Sequence, residues 1–106
     1  MTATIRQATA ADLPALVALD AELFPGDAFG HRQLRYLVTR ARGQVLAAHA
    51  GAAIVGCGIV LWRRGDAVAR LHSLAVAGRC QRTGLGTRLL AACERAAAGA
   101  GCAGMR

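Results

Sequence analysis

The sequence predicts a mixed α/β fold of the α+β kind, in the order β-α-α-β-β-β-α-(β). Two kinds of periodicity predict it: short alternating or wholly apolar runs mark strands, and apolar residues three and four apart mark three helices. A third observation orders them: three strand-like runs follow one another across short turns, and then a strand leads through a glycine-bearing loop into a helix. The chain has 106 residues, enough for one core and not two, so residues 1–106 are read as one domain.

"TIRQAT" alternates and opens the fold as a strand, with Ile5 facing the core. "TAADLPALVALDAELF" is the first helix, with Thr9 and Asp12 spaced as a capping signal. Leu13, Leu16, Val17 and Asp20 fall at helical spacing, Leu23 and Phe24 close the stripe, and Pro25-Gly26 ends it. "HRQLRYLVTRAR" is the second helix, with Leu34, Leu37, Val38 and Ala41 on one face and Arg32, Arg35 and Arg42 on another. Those arginines read as a solvated face or as a wall that meets an acidic partner.

"QVLAAHA" and "AAIVGCGIVLW" are two strands joined by a tight turn at Gly51. The second is apolar on both faces, as a central strand is, and Gly56 and Gly58 inside it mark a close backbone approach or a bulge. "AVARLHSLAV" is a further strand. "LGTRLLAACERAAAGAG" is the last helix, with Leu85, Leu89, Cys93 and Ala97 buried and Arg88 and Glu94 outside. "CAGMR" begins another strand.

Composition narrows the partners. Thirteen basic residues stand against six acidic ones, a formal charge of +7, and every basic residue is arginine. This balance reflects either a GC-rich genome or attraction to phosphates, nucleic acid or an acidic substrate. Aromatic residues make up 4% of the chain, too few for the stacking platforms of a nucleic-acid binder. No apolar run approaches the roughly 20 residues of a membrane span, and no secretory leader is present, so a cytoplasmic protein is expected. Cys57, Cys80, Cys93 and Cys102 contain no C-x-x-C pair, which argues against a zinc site or a disulfide framework. Cys57 and Cys93 fall on apolar faces as core residues.

The chemistry is concentrated in "QRTGLGTRLLAACE", residues 81 to 94. The first amides of a helix lack internal partners and carry partial positive charge, so they suit a phosphate. Glycine at 84 and 86 lets the backbone approach, and Arg82, with Arg79 and Arg88 nearby, supplies charge. A Walker A loop needs a lysine that this chain lacks, and the dinucleotide fingerprint needs a third glycine where Leu89 stands.

The spacing Gln81-Arg82-Thr83-Gly84-Leu85-Gly86 resembles the Q/R-x-x-G-x-G/A loop of the GNAT superfamily of N-acetyltransferases. The opening "IRQATAADLPALVALDAELF" is also similar to that family's start. Within it, "FPGDAF" and "SLAVAGRCQRTGLGTRLL" look most like the ribosomal-protein-alanine N-acetyltransferase type. The resemblance implies a GNAT-like mixed sheet and acetyl-coenzyme A as cosubstrate. Its pantetheine arm would lie along the backbone of Leu74, Ala75 and Val76, beside a strand that splays away. The pyrophosphate would lie on the backbone of the loop, Gln81, Arg82, Thr83, Gly84, Leu85, Gly86 and Thr87.

The reaction implied is acetyl transfer to a primary amine, at a protein N-terminus or on a small molecule. In the type named, the base is a glutamate on the strand after the last helix and the acid a later tyrosine, and neither position is matched before Arg106. His72, whose ring titrates near neutrality, is a candidate local base or a half-buried sheet histidine. His49 reads as a sheet histidine. Asp27, Phe29 and His31 are candidates for acceptor contact, or for an ordinary surface loop.

A GNAT fold ending at Arg106 lacks its last strands and a helix, so the chain is expected to be a piece of a longer enzyme, or to pair with a second copy that completes the sheet. The alternative function is a non-catalytic module that binds coenzyme A or a partner.

Overall fold

The computed structural model describes residues 2–106. Its elements are β1 (Thr4–Gln7), α1 (Leu13–Leu23), α2 (Gly30–Thr39), β2 (Gly43–Ala50), β3 (Ala53–Leu61), β4 (Val68–Val76), α3 (Leu85–Gly99) and β5 (Gly104–Met105). Short 3-10 turns at Ala10–Asp12 and Gly78–Cys80 precede α1 and follow β4. The mixed α/β order expected from periodicity is the order observed. The strands form one sheet in the order β1-β2-β3-β4-β5, antiparallel except for the parallel β4–β5 pair.

The capping signal at Thr9 is a capping box across the 3-10 turn. The Thr9 N–H donates to Asp12 Oδ2 at 2.8 Å, and Arg6 of β1 donates to the same carboxylate at 2.7 and 2.9 Å. The Arg6 hydrogen bond, then that from Thr9, holds the Asp12 carboxyl well below the usual carboxylate range. A depressed carboxylate stabilises the fold above its unfolded pKa, about 3.9, and that contribution is lost as pH falls through the lower folded value. Asp12→Asn is expected to cost about 1 kcal/mol at pH 7. Urea unfolding should find the difference from wild type shrinking below about pH 4.

α1 packs on one face of the sheet and α3 on the other. On the α3 face Gly56 and Gly58 bring the helix close. A Cβ at 56 would sit 2.9 Å from Leu89 Cδ1, and one at 58 would sit 2.8 Å from Cys93 Sγ. Close approach, not a bulge, therefore explains both glycines; the β2–β3 irregularity lies beside them, at Ala48/His49. The predicted α3 stripe of Leu85, Leu89, Cys93 and Ala97 is buried throughout. Desolvation pushes the Cys57 thiol up to about 12 and the Cys93 thiol up to about 11, so both remain protonated fillers of the core.

The helices start and stop close to their expected ends. α2 stops at Thr39, so Arg42 lies beyond it, in the turn into β2. Asp20, placed by spacing on the apolar stripe of α1, is buried there, and its Oδ2 accepts the Gly30 N–H at 3.3 Å. It ties the end of α1 to the start of α2 and fixes the intervening loop.

Candidate functional site

Two segments meet at one end of the sheet: the last residues of β4, and the loop from Gly78 to Gly84 that leads into α3. β4 reaches this end through a bulge. Ile59 pairs with Ser73 and Val60 with Leu71, which leaves His72 as the extra residue. The bulge changes which backbone groups look outward. Before it, the Leu71 N–H and the Ala69 carbonyl face β5, bonding Arg106 at 2.8 and 2.9 Å. Beyond it, the Ala77 N–H donates to the Val55 carbonyl of β3 at 2.8 Å. Alternation then turns Ala75 and Ser73 toward β3, and the N–H and C=O of Leu74 and Val76 away from it. Arg106 is still paired with β4, and among the described residues no strand covers the edge at Leu74 and Val76.

The loop is folded by its own side chains. Gln81 Nε2 donates to the outward carbonyl of Val76 at 3.2 Å, and Thr83 Oγ1 donates to the Cys80 carbonyl. Arg82 has φ 65° and Gly84 φ 86°, so two residues in the left-handed region curl the chain just before the helix. Left-handed backbone is ordinary for glycine and uncommon for arginine. Local turn geometry at Arg82 is thus imposed by the loop as a whole.

The consequence is a run of bare donors. Within α3 the first bonded amide is that of Arg88, which donates to the Gly84 carbonyl at 3.1 Å. Among the described residues, the N–H groups of Arg82, Thr83, Gly84, Leu85, Gly86 and Thr87 meet no backbone or side-chain acceptor, and α3 has no side-chain cap. Six successive donors at the positive end of a 15-residue helix form a cradle for an anion with several oxygens. A Cβ on Gly84 would have nothing within 4 Å, and one on Gly86 would meet only Val76 Cγ2, at 3.8 Å. The glycines thus leave the space between the loop and the end of β4 free of side chains at these two positions.

Of the flanking arginines, Arg79 and Arg82 make no ion pair among the described residues, whereas Arg88 reaches back to donate to the Ala3 carbonyl at 2.8 Å. With Arg79, Cys80 and Thr83, Arg88 lines a hollow of about 550 Å³ behind the loop, toward the β2–β3 turn.

On the α1 and α2 side of β4 the bulge places His72 beside Arg70. Arg70 donates to His72 Nδ1 at 3.0 Å, so the neutral ring carries its proton on Nε2, which is buried without a partner. Desolvation, then the Arg70 charge, lowers the His72 pKa. Phe29, from the loop before α2, stacks on the ring with centroids 5.2 Å apart. This contact brings together two residues that sequence spacing left apart. Asp27 and His31 are exposed. Below Phe29 a small hollow is lined by Asp20, Ser73 and Ala75. Sequence reasoning did not place Asp20 at the site; its one signal is a carboxylate in an apolar stripe.

Comparison with known proteins agrees with this fold. The model of the Acetyltransferase (GNAT) family matches residues 10–105. A search of curated proteins returns no match. Among solved structures, the aminoglycoside N-acetyltransferase AAC(6')-Iy, solved with a coenzyme A bisubstrate analogue, superposes with TM-score 0.83 at 21% identity, over 100% of this chain and 78% of that one. N-acetylglutamate synthase from Neisseria gonorrhoeae, solved with coenzyme A and N-acetyl-glutamate, gives 0.83 at 24% identity, over 96% of this chain and 24% of that one. The ribosomal-protein-S18-alanine N-acetyltransferase from Escherichia coli gives 0.73 at 21%, over 85% and 56%. The similar structures therefore share a fold and span several acceptors. No helix among the described residues is long and apolar enough to cross a membrane.

Proposed function

Because the chain belongs to the GNAT family of acetyltransferases, whose cosubstrate is acetyl-coenzyme A, we propose that it transfers the acetyl group to a primary amine, at a protein N-terminus or on a small molecule, in the cytoplasm. The observation that carries this reading is the run of six amides from Arg82 to Thr87 without a partner among the described residues, in a loop tied to the end of β4 at Val76.

Acetyl-coenzyme A supplies an activated thioester when bound. The loop amides hold its diphosphate, and Arg82 adds charge. The outward N–H and C=O of Leu74, with the N–H of Val76, pair with the amide-bearing arm in the manner of an added strand. An N–H at this edge also suits the negative charge that develops on an acyl oxygen. The attacking amine must be neutral. His72 faces the α1–α2 side of β4, and its basic Nδ1 already accepts from Arg70. Taking a proton therefore requires that hydrogen bond to open. That engagement favours the second reading, a module that binds coenzyme A without turnover.

Two measurements separate the readings. Calorimetry is expected to find coenzyme A bound at micromolar or tighter Kd, roughly −8 kcal/mol. A thiol-release assay over a panel of amines then reads turnover. Release supports transfer, binding without release supports the module, and no binding removes both.

A further inference from the structure

On the α2 side of the sheet, the half of β4 before the bulge borders a groove of about 460 Å³ between α2, the end of β3 and β5. Arg42, Arg63, Arg70 and Arg106 line it, together with Tyr36 and Trp62. One carboxylate, Asp66, also lines it, but its Oδ2 accepts the Arg63 N–H at 3.2 Å within their own turn. Among the described residues the only ion pair within 4 Å is Arg6–Asp12, at the other edge of the sheet. The four arginines of the groove are thus exposed and, among the described residues, outside any ion pair; they outnumber its one carboxylate and share the lining with two aromatic side chains. This is a surface for carboxylates, with planar forks that bind them two oxygens at a time.

Arg70, in the lining of the groove, bonds His72, on which Phe29 stacks, and the same strand runs on to Val76 at the proposed acetyl site. From Arg70 to Val76 is six strand positions, about 20 Å at the usual rise. A small amine cannot touch both ends; an extended chain of about six residues can.

Resting on the acetyltransferase reading above, we infer that the acceptor is an acidic peptide, its N-terminal amine presented at the end of β4 and its following Asp or Glu side chains held in the arginine groove. A polycationic acceptor such as an aminoglycoside is repelled by the same charges.

Trp62 is the only tryptophan in the chain, so its fluorescence reports occupation of the groove without requiring turnover. The test titrates the protein, with and without coenzyme A, with peptides of sequence Ala-Asp-Glu-Glu-Asp-Gly and Ala-Arg-Lys-Lys-Arg-Gly, and with an aminoglycoside. The acidic peptide is expected to perturb Trp62 and bind at least tenfold tighter than the basic one. The preference should fall at 0.5 M salt, where the Debye length is a few ångströms, and disappear in the double variant Arg42→Glu, Arg63→Glu. Both side chains are exposed, and coenzyme A affinity measured by calorimetry should stay unchanged in that variant. Equal or tighter binding of the basic peptide or the aminoglycoside overturns the inference, as does a preference that survives charge reversal. Failure to bind coenzyme A would instead count against the acetyltransferase reading, because the groove measurement does not depend on it.

Discussion

Gly86→Leu is expected to weaken coenzyme A about 100-fold, near 2.7 kcal/mol, while the protein melts within a few degrees of wild type. Residue 86 lies in the first turn of α3, and a Cβ there points to Val76 at an ordinary contact distance of 3.8 Å. Helical side chains lean toward the helix N-terminus. A leucine at 86 therefore leans over the amides of the preceding loop and occupies the space that a diphosphate needs. Loss of two charge-assisted hydrogen bonds at about 1.5 kcal/mol each accounts for the magnitude. Gly86→Ala is the control. Its methyl fits beside Val76, and helix propensity favours alanine over glycine by up to about 1 kcal/mol. It should melt higher and keep most of its affinity. Gly84 is a poorer probe, because at φ 86° any side chain adds about 1–2 kcal/mol of backbone strain that mixes folding with binding. Calorimetry and thermal melts on the same samples read both effects.

Leu89→Ala is expected to destabilise the protein by about 3 kcal/mol. Leu89 is fully buried and lies over the glycines of β3, 2.9 Å from where a Cβ on Gly56 would stand. The sheet cannot fill the gap, because the residues beneath it have no side chains. For a chain of this size the melting temperature should drop by roughly 15 °C. Leu89 is also one turn beyond the amide cradle, and its anchorage holds the start of α3 against the end of β4. The variant should therefore lose coenzyme A affinity as well, and excess coenzyme A should restore part of the lost melting temperature by mass action.

The elements of the fold were readable because each is locally encoded. Thr9 and Asp12 mark the start of the first helix, Pro25-Gly26 its end, and the stripe Leu85, Leu89, Cys93, Ala97 the buried face of the last. The glycines at 56 and 58 signalled close approach or a bulge, and contact with α3, some thirty residues on, decides for close approach. The loop before the last helix, proposed to hold the diphosphate, stood out for the same reason: helix start, glycines and charge are consecutive.

What was not legible depends on register and on contacts between distant segments. The bulge at His72 follows from how β4 pairs with β3, and no single residue announces it. Yet it decides that Leu74 and Val76, not Ala75, turn their backbone outward. It also sets His72 against Arg70 and Phe29, which changes the histidine from a free base to a ring whose accepting nitrogen is taken. The arginine groove was hidden similarly. Arg42 looked like part of a helical face, but the helix stops at Thr39 and the side chain joins Arg63 and Arg70 from two other elements.

Amide-resolved NMR of the nitrogen-labelled protein, titrated with coenzyme A and separately with ADP, tests most directly whether the bare amides hold the diphosphate. Both ligands are expected to shift the amides of residues 82 to 87, and coenzyme A alone should also shift those of Leu74 and Val76. Silent loop amides, with the shifts gathered instead around Ala3, Arg79 and Arg88 at the hollow behind the loop, would contradict it.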